Sequence, residues 1–131
     1  MVADEQRAAS AHGAPGSSLD ASRPIYQVKA EFFKTLGHPG RIRVLEVLRD
    51  GEHSVSDLVE QVGLESSHLS QQLAILRRAG IVQARKAGSL VFYSASDPRI
   101  FELLEVAKAI LTASLTGTRQ LLEDLESLHF A

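Results

Sequence analysis

LESSHLSQQLAILRRAGIVQARKAGSLVFYSA, residues 64–95, joins a leucine-spaced helix to two short strand-like segments. Leu69, Leu73 and Leu76 recur at the spacing that places side chains on one face of an α-helix. Gly80 closes the pattern after Ala79, so a helix is expected from about Ser66 to Ala79. Beyond it, "IVQARK" and "LVFYSA" alternate apolar with polar residues or are β-branched and aromatic. With Ala87-Gly88-Ser89 between them, they are expected to pair as a β-hairpin. Past Glu65 the stretch holds no acid, yet it carries Arg77, Arg78, Arg85 and Lys86. The whole chain has formal net charge −2, so setting aside the +4 of residues 66–96 leaves −6 for the rest. One basic face on an acidic body points to a nucleic-acid partner.

Upstream, Ser54 followed three residues later by Asp57 resembles a capping box. It opens a short helix with Val55, Leu58, Val59 and Val62 that ends at Gly63. A short helix, a tight turn at Leu64-Glu65 and a second helix make the helix-turn-helix pattern. Before these, Pro39 suits a first helical turn, and Ile42, Leu45, Val47 and Leu48 follow until Asp50-Gly51 breaks the run. Ile25, Val28, Phe32 and Leu36 form an earlier helix that stops at Gly37. His38, at the junction, reads as a capping or packing group, and His53 as an exposed turn residue that Glu52 or Asp57 could make pH-responsive. Residues 1–24 are rich in Ala, Ser, Gly and Pro without a sustained apolar period, so they are expected to be a disordered arm.

Downstream, Ile100, Leu103, Leu104, Ala107, Ile110, Leu111, Leu115, Leu121, Leu122, Leu125 and Leu128 keep one helical register. A single helix of about 30 residues is the first reading, with a break near Gly117 as the alternative. So broad a stripe exceeds what a small core covers, and a second subunit is expected to cover the rest. The fold class is therefore mainly α with a small β-hairpin: a winged helix-turn-helix in the order α-α-α-α-β-β-α. Residues 25–131 are expected to form one DNA-binding and dimerisation domain.

With 131 residues, 44% of them hydrophobic, the chain fits one compact domain. Cys is absent, which excludes disulfides, thiolate metal sites and cysteine nucleophiles. Aromatic residues make up only 5%, too few for the stacking platforms of single-strand binders, so double-stranded DNA is the better fit. No apolar run approaches the roughly 18 residues of a membrane span, and the N-terminus lacks a secretory pattern. A cytoplasmic location with no membrane partner is expected.

The side of the 66–79 helix opposite its leucines carries Ser67, Gln71, Ala74 and Arg78, with His68 and Ser70 on the flanks and Gln72 nearer the core side. Ser and Gln can hydrogen-bond base edges or phosphates, Arg can fork onto guanine or a phosphate, and Ala permits close approach. Any soluble helix has polar residues opposite its leucines. Here the position, second in a helix-turn-helix and followed by a basic hairpin, favours groove contact. Arg85, Lys86 and Ser89 on the hairpin are expected to reach a flanking phosphate or the minor groove, rather than to be merely solvated.

With "FFKTLGHPGRIRVLEVL", "SVSDLVEQVGLESSHLSQQLAILRRAGIV" and "ARKAGSLVFYS" in that order, the sequence over about residues 25–112 resembles the ArsR/SmtB family of small winged-helix transcription regulators. The resemblance implies a homodimer assembled through the first and last helices that binds an inverted-repeat operator, usually as a repressor released by an effector. Ile25, Val28, Phe32, Leu103, Leu104, Ile110, Leu111, Leu115, Leu121 and Leu122 would then form the dimer interface. One inducer site of the family is a Cys pair in an "ELCVCDL"-like segment, but the matching stretch here is "EHSVSDL". Ser54 and Ser56 hydroxyls cannot supply the thiolates that soft metals require. Another family site takes His and carboxylates from the last helix. Glu102, Glu105, Glu123, Asp124 and Glu126 are present there, but His129 comes only at the end of the chain and His12 lies in the arm. No metal and no cofactor are expected, and the effector is left open. The alternatives are a winged-helix interaction module that does not bind DNA, and a metal-responsive repressor using His and carboxylates. No G-x-S-x-G, H-E-x-x-H or P-loop pattern supports an enzyme.

Overall fold

The computed structural model describes residues 22–130, with side chains described to Ser127. The chain divides into one unit ending at Asp97 and another starting at Pro98. The first comprises α1 (Ile25–Leu36), α2 (Pro39–Val47), a 3-10 turn (Leu48–Asp50), β1 (His53–Ser54), α3 (Val55–Val62), α4 (Ser66–Arg78), β2 (Val82–Ala87) and β3 (Leu90–Ala95). The second is a single helix, α5 (Arg99–Phe130). Of the arm expected over 1–24, residues 1–21 lie outside the described residues. Its last three residues lead into α1: the Arg23 guanidinium meets Glu31 at 2.7 Å, and the Pro24 carbonyl accepts from the Gln27 and Val28 amides.

Each boundary has a local cause. His38 takes the extended backbone expected before a proline, and its Nδ1 accepts from the Gly40 amide at 3.0 Å, so it caps α2 with Pro39 in the first turn. A side chain at Gly40 would come within 3.0 Å of Leu64 Cδ1, so this glycine lets α2 press on the turn between α3 and α4. Ser54 caps α3 by accepting from the Asp57 amide at 3.2 Å. The reciprocal half of the capping box does not form, because the Asp57 carboxylate accepts instead from His53 and Gln61.

At the end of α4 the Gly80 amide donates to the Arg77 carbonyl and the Ile81 amide to the Leu76 carbonyl, both at 3.0 Å. With Gly80 at φ +76°, this is a complete Schellman motif. Its companion apolar contact comes from Leu76 and Ile81, both buried. The cap turns the chain directly into β2.

The sheet differs from the expected hairpin. It has three antiparallel strands in the order β1-β3-β2, with His53 opposite Tyr93 and Ser54 opposite Phe92. Two residues are too short a strand to show any alternation, so β1 was illegible in the sequence. In the hairpin, Ala87 pairs with Leu90, leaving Gly88-Ser89 as a two-residue turn. Gly88 has φ +62° and Ser89 has no positive φ, the signs of a type II′ turn.

The core of the first unit is aliphatic. Val44, Leu45, Leu48, Leu58, Leu69, Leu73, Leu76 and Val82 are buried, and no polar or charged residue is buried among the described residues. Full burial of one such leucine contributes roughly 1.5–3 kcal/mol. In the second unit α5 runs unbroken through Gly117, which resolves the two readings in favour of one helix of 32 residues. Among the described residues no helix is long and apolar enough to cross a membrane.

Two substitutions test this account of α4. Leu69→Ala is expected to lower unfolding free energy by about 2–5 kcal/mol. Gly80→Ala is expected to cost about 1–2 kcal/mol, because alanine resists the left-handed backbone. Urea midpoints at unchanged m-value measure both, and an unshifted midpoint for Gly80→Ala would contradict the role given to the cap.

Candidate nucleic-acid interface

Leu69, Leu73 and Leu76 occupy the buried side of α4, so its other side must face outward. Ser67, His68, Ser70, Gln71 and Arg78 are all exposed there, and Ala74 is half-buried. Glu65 at the N-cap makes no side-chain capping hydrogen bond to the backbone of the first turn. Its carboxylate instead accepts from the Ser67 hydroxyl at 3.2 Å. The start of the helix thus carries the Ser66 and Ser67 hydroxyls together with the Glu65 carboxylate, an anion placed where the helix dipole favours one.

Gln72 does not join this face. It is half-buried, and its Oε1 accepts from Arg41 Nε at 2.8 Å while Arg41 Nη1 donates to the Thr35 carbonyl at 2.8 Å. Arg41 thus ties α4 through α2 to the end of α1, and Gln72 orients the helix rather than extending its surface.

On the hairpin, Lys86 and Ser89 are exposed, with Ser89 in the turn. Arg85 is engaged. Its Nε and Nη2 donate to the two carboxylate oxygens of Glu52 at 2.9 and 2.6 Å, and its guanidinium carbon lies 5.0 Å from the Phe92 ring centroid. This hydrogen bond from Arg85 holds the Glu52 carboxyl below the usual carboxylate range. The absence of acids within 66–96 therefore does not leave the hairpin unopposed, since an acid from before β1 reaches across. An open cleft of about 540 Å³ separates the hairpin tip from the starts of α3 and α4, bordered by Ser54, Ser56, Ser66, Ser89 and Leu90.

The residues expected to pair two copies are largely uncovered. Ile25, Ile110, Leu111, Leu115, Leu121 and Leu122 are exposed, whereas Val28, Phe32, Leu103 and Leu104 are half-buried. At the positions of the family's Cys pair, the Ser54 and Ser56 hydroxyls lie 3.2 Å apart. Among the described residues no group of three or more His, Cys, Asp or Glu is arranged to hold a metal ion. His12 and the His129 side chain lie outside the described residues.

Comparison with known proteins gives a consistent picture. The model of the bacterial regulatory protein arsR family matches residues 38–84. The sequence is 53% identical over 107 residues to Rv0081 of Mycobacterium tuberculosis, named an uncharacterized HTH-type transcriptional regulator, covering 81% of this chain and 94% of that one. The crystal structure of Rv0081 superposes with a TM-score of 0.66 over 72% of this chain and 95% of that chain. The transcriptional repressor BigR from Xylella fastidiosa is 35% identical, with a TM-score of 0.61 over 65% of this chain and 87% of its own. A homodimeric winged helix-turn-helix DNA-binding domain from Mycobacterium bovis, Mb0332, is 26% identical, with a TM-score of 0.59 over 65% of this chain and 82% of its own.

His53 corrects the exposed-turn reading. It sits in β1 with its side chain only 12% exposed, Nε2 at 2.5 Å from Asp50 Oδ1 and Nδ1 against Asp57 Oδ2. Asp50 first, then Asp57, raise the imidazole above its ordinary value, while His53 and Gln61 hold Asp57 below the usual carboxylate range. Both carboxylates can accept at once only from the doubly protonated ring. The stabilisation from His53 is therefore complete below about pH 6.5 and is lost as pH rises through the raised folded value. Asp57 acts in the opposite sense, its share being lost as pH falls through its lowered value. Urea midpoints of the wild type are expected to decline from about pH 6.5 upward, with a flatter profile for His53→Gln. Parallel profiles would remove His53 from the account.

Proposed function

The chain belongs to the ArsR family of bacterial regulatory proteins, a family of transcriptional regulators, and on that premise we propose that it represses transcription as a homodimer bound to an inverted-repeat operator. The observation that carries the reading is the exposed side of α4, where Ser67, Gln71 and Arg78 are free of the core and flanked by His68 and Ser70. Short amides and hydroxyls suit base edges in the major groove, and the half-buried Ala74 keeps the helix close to them. Arg77, Arg78 and Lys86 supply phosphate contacts, and the Ser89 turn reaches the flanking groove.

Two copies are required because one helix reads only a half-site. The exposed apolar residues of α1 and α5 suit that pairing, and the homodimeric relative Mb0332 supports it. The repressor BigR supports the direction of control. Ser54 and Ser56 cannot bind soft metal as thiolates, so any inducer acts by other chemistry.

Selection from a random duplex pool is expected to recover an inverted repeat. With three basic side chains per protomer on phosphates, log affinity should fall against log salt with a slope of about −5. Gln71→Ala is expected to cost about 1–3 kcal/mol of discrimination at the base pair it reads. Lys86→Ala should weaken selected and scrambled duplexes alike. Recovery of no preferred sequence, or a slope near zero, would reject the reading.

A further inference from the structure

A guanidinium fork offers two parallel N–H donors and a full positive charge, a geometry able to take a phosphate, and that of Arg85 is filled from within the chain by Glu52. A carboxylate and a phosphate present that fork with the same thing, a pair of anionic oxygens. We propose that Glu52 is an internal stand-in for a DNA phosphate, whose carboxylate occupies Arg85 and withholds one phosphate-binding site per hairpin from the duplex. The inference rests on the reading of this hairpin as a DNA contact.

Three features make Glu52 a standing occupant of the fork. Glu52 is well placed by its surroundings, because the next residue, His53, is pinned in β1 by Asp50 and Asp57 and by pairing with Tyr93. The backbone that carries Glu52 is therefore held beside the sheet, within reach of Arg85. Arg85 also lies over the ring of Phe92, its cross-strand partner, a second contact that holds the guanidinium beside the hairpin. Finally, the Arg85 side chain is 57% exposed and that of Glu52 33%, so the fork sits at a surface a duplex can approach and is open to a phosphate once Glu52 is removed.

The carboxylate thus lowers affinity by cancelling a cation that would otherwise face the phosphates. This effect acts on every sequence alike, because phosphate contacts carry no base information.

The test compares the full-length chain with E52Q, E52A, R85A and the double variant E52Q/R85A, on the selected repeat and on a scrambled duplex over a range of salt. All the changed side chains lie at the surface, and unchanged thermal midpoints confirm folding. E52Q and E52A are expected to tighten both duplexes about three- to ten-fold at low salt and to steepen the salt slope by about 2 per dimer, one phosphate gained per protomer. E52Q/R85A should return the slope to the wild-type value, and R85A alone should leave it unchanged.

Equal affinities and slopes in wild type and E52Q would overturn the proposal while the α4 reading stands. Weaker binding by E52Q, together with a shallower slope for R85A, would overturn it in favour of Glu52 steadying Arg85 on the phosphate. Failure of the wild type to bind any duplex would overturn both.

Discussion

Burial of Leu69, Leu73 and Leu76 is the constraint on which the rest of this molecule depends. A helix buries one side only, so placing these leucines in the core fixes which side of α4 meets the surroundings. The Schellman cap at Gly80 then fixes where the helix stops, and the Arg41 to Gln72 hydrogen bond ties it to α2. Rotation of α4 by a single residue would lift a leucine out of the core and turn a polar side chain into it. The surface chemistry of Ser67, Gln71 and Arg78 follows from the apolar packing beneath.

Electrostatics act on this frame as a correction. The basic character of residues 66–96 is real, but acids from outside the segment fold back onto it: Glu65 receives the Ser67 hydroxyl and Glu52 takes Arg85. Asp50 and Asp57 close on His53 in the same short region. The turn from Asp50 to Asp57 therefore joins the helical core to the hairpin through side-chain contacts as well as through β1. Charge counted along the sequence says which segment is basic, whereas contacts say which cations remain available.

Elements with several turns of regular spacing were legible in the sequence. Five helices, the cap at His38 and the hairpin all follow from periodicity and from Pro, Gly and Ser signals that act within a few residues. The outward placement of Ser67, Gln71 and Arg78 followed from the same geometry. What remained hidden depends on residues far apart in the chain. β1 has two residues and no pattern of its own. The Glu52 to Arg85 pair spans 33 positions and exists only because β1 joins the sheet beside β3. Gln72 was placed near the core side by its angle, but its partner Arg41 lies on another helix. The relatives add what neither periodicity nor packing supplies, namely that this arrangement recurs in transcriptional regulators.

The central claim is that the outward side of α4 lies against paired bases. Amide and side-chain NMR shifts of the protein, followed as the selected duplex is added, test it most directly. Shifts are expected to concentrate at Ser66–Gln71 and Arg78 and at Lys86–Leu90 in the hairpin, with the distal half of α5 unmoved. Shifts confined to α5, or to α1 and the face of β3, with Ser67 and Gln71 unchanged at saturation, would contradict the account.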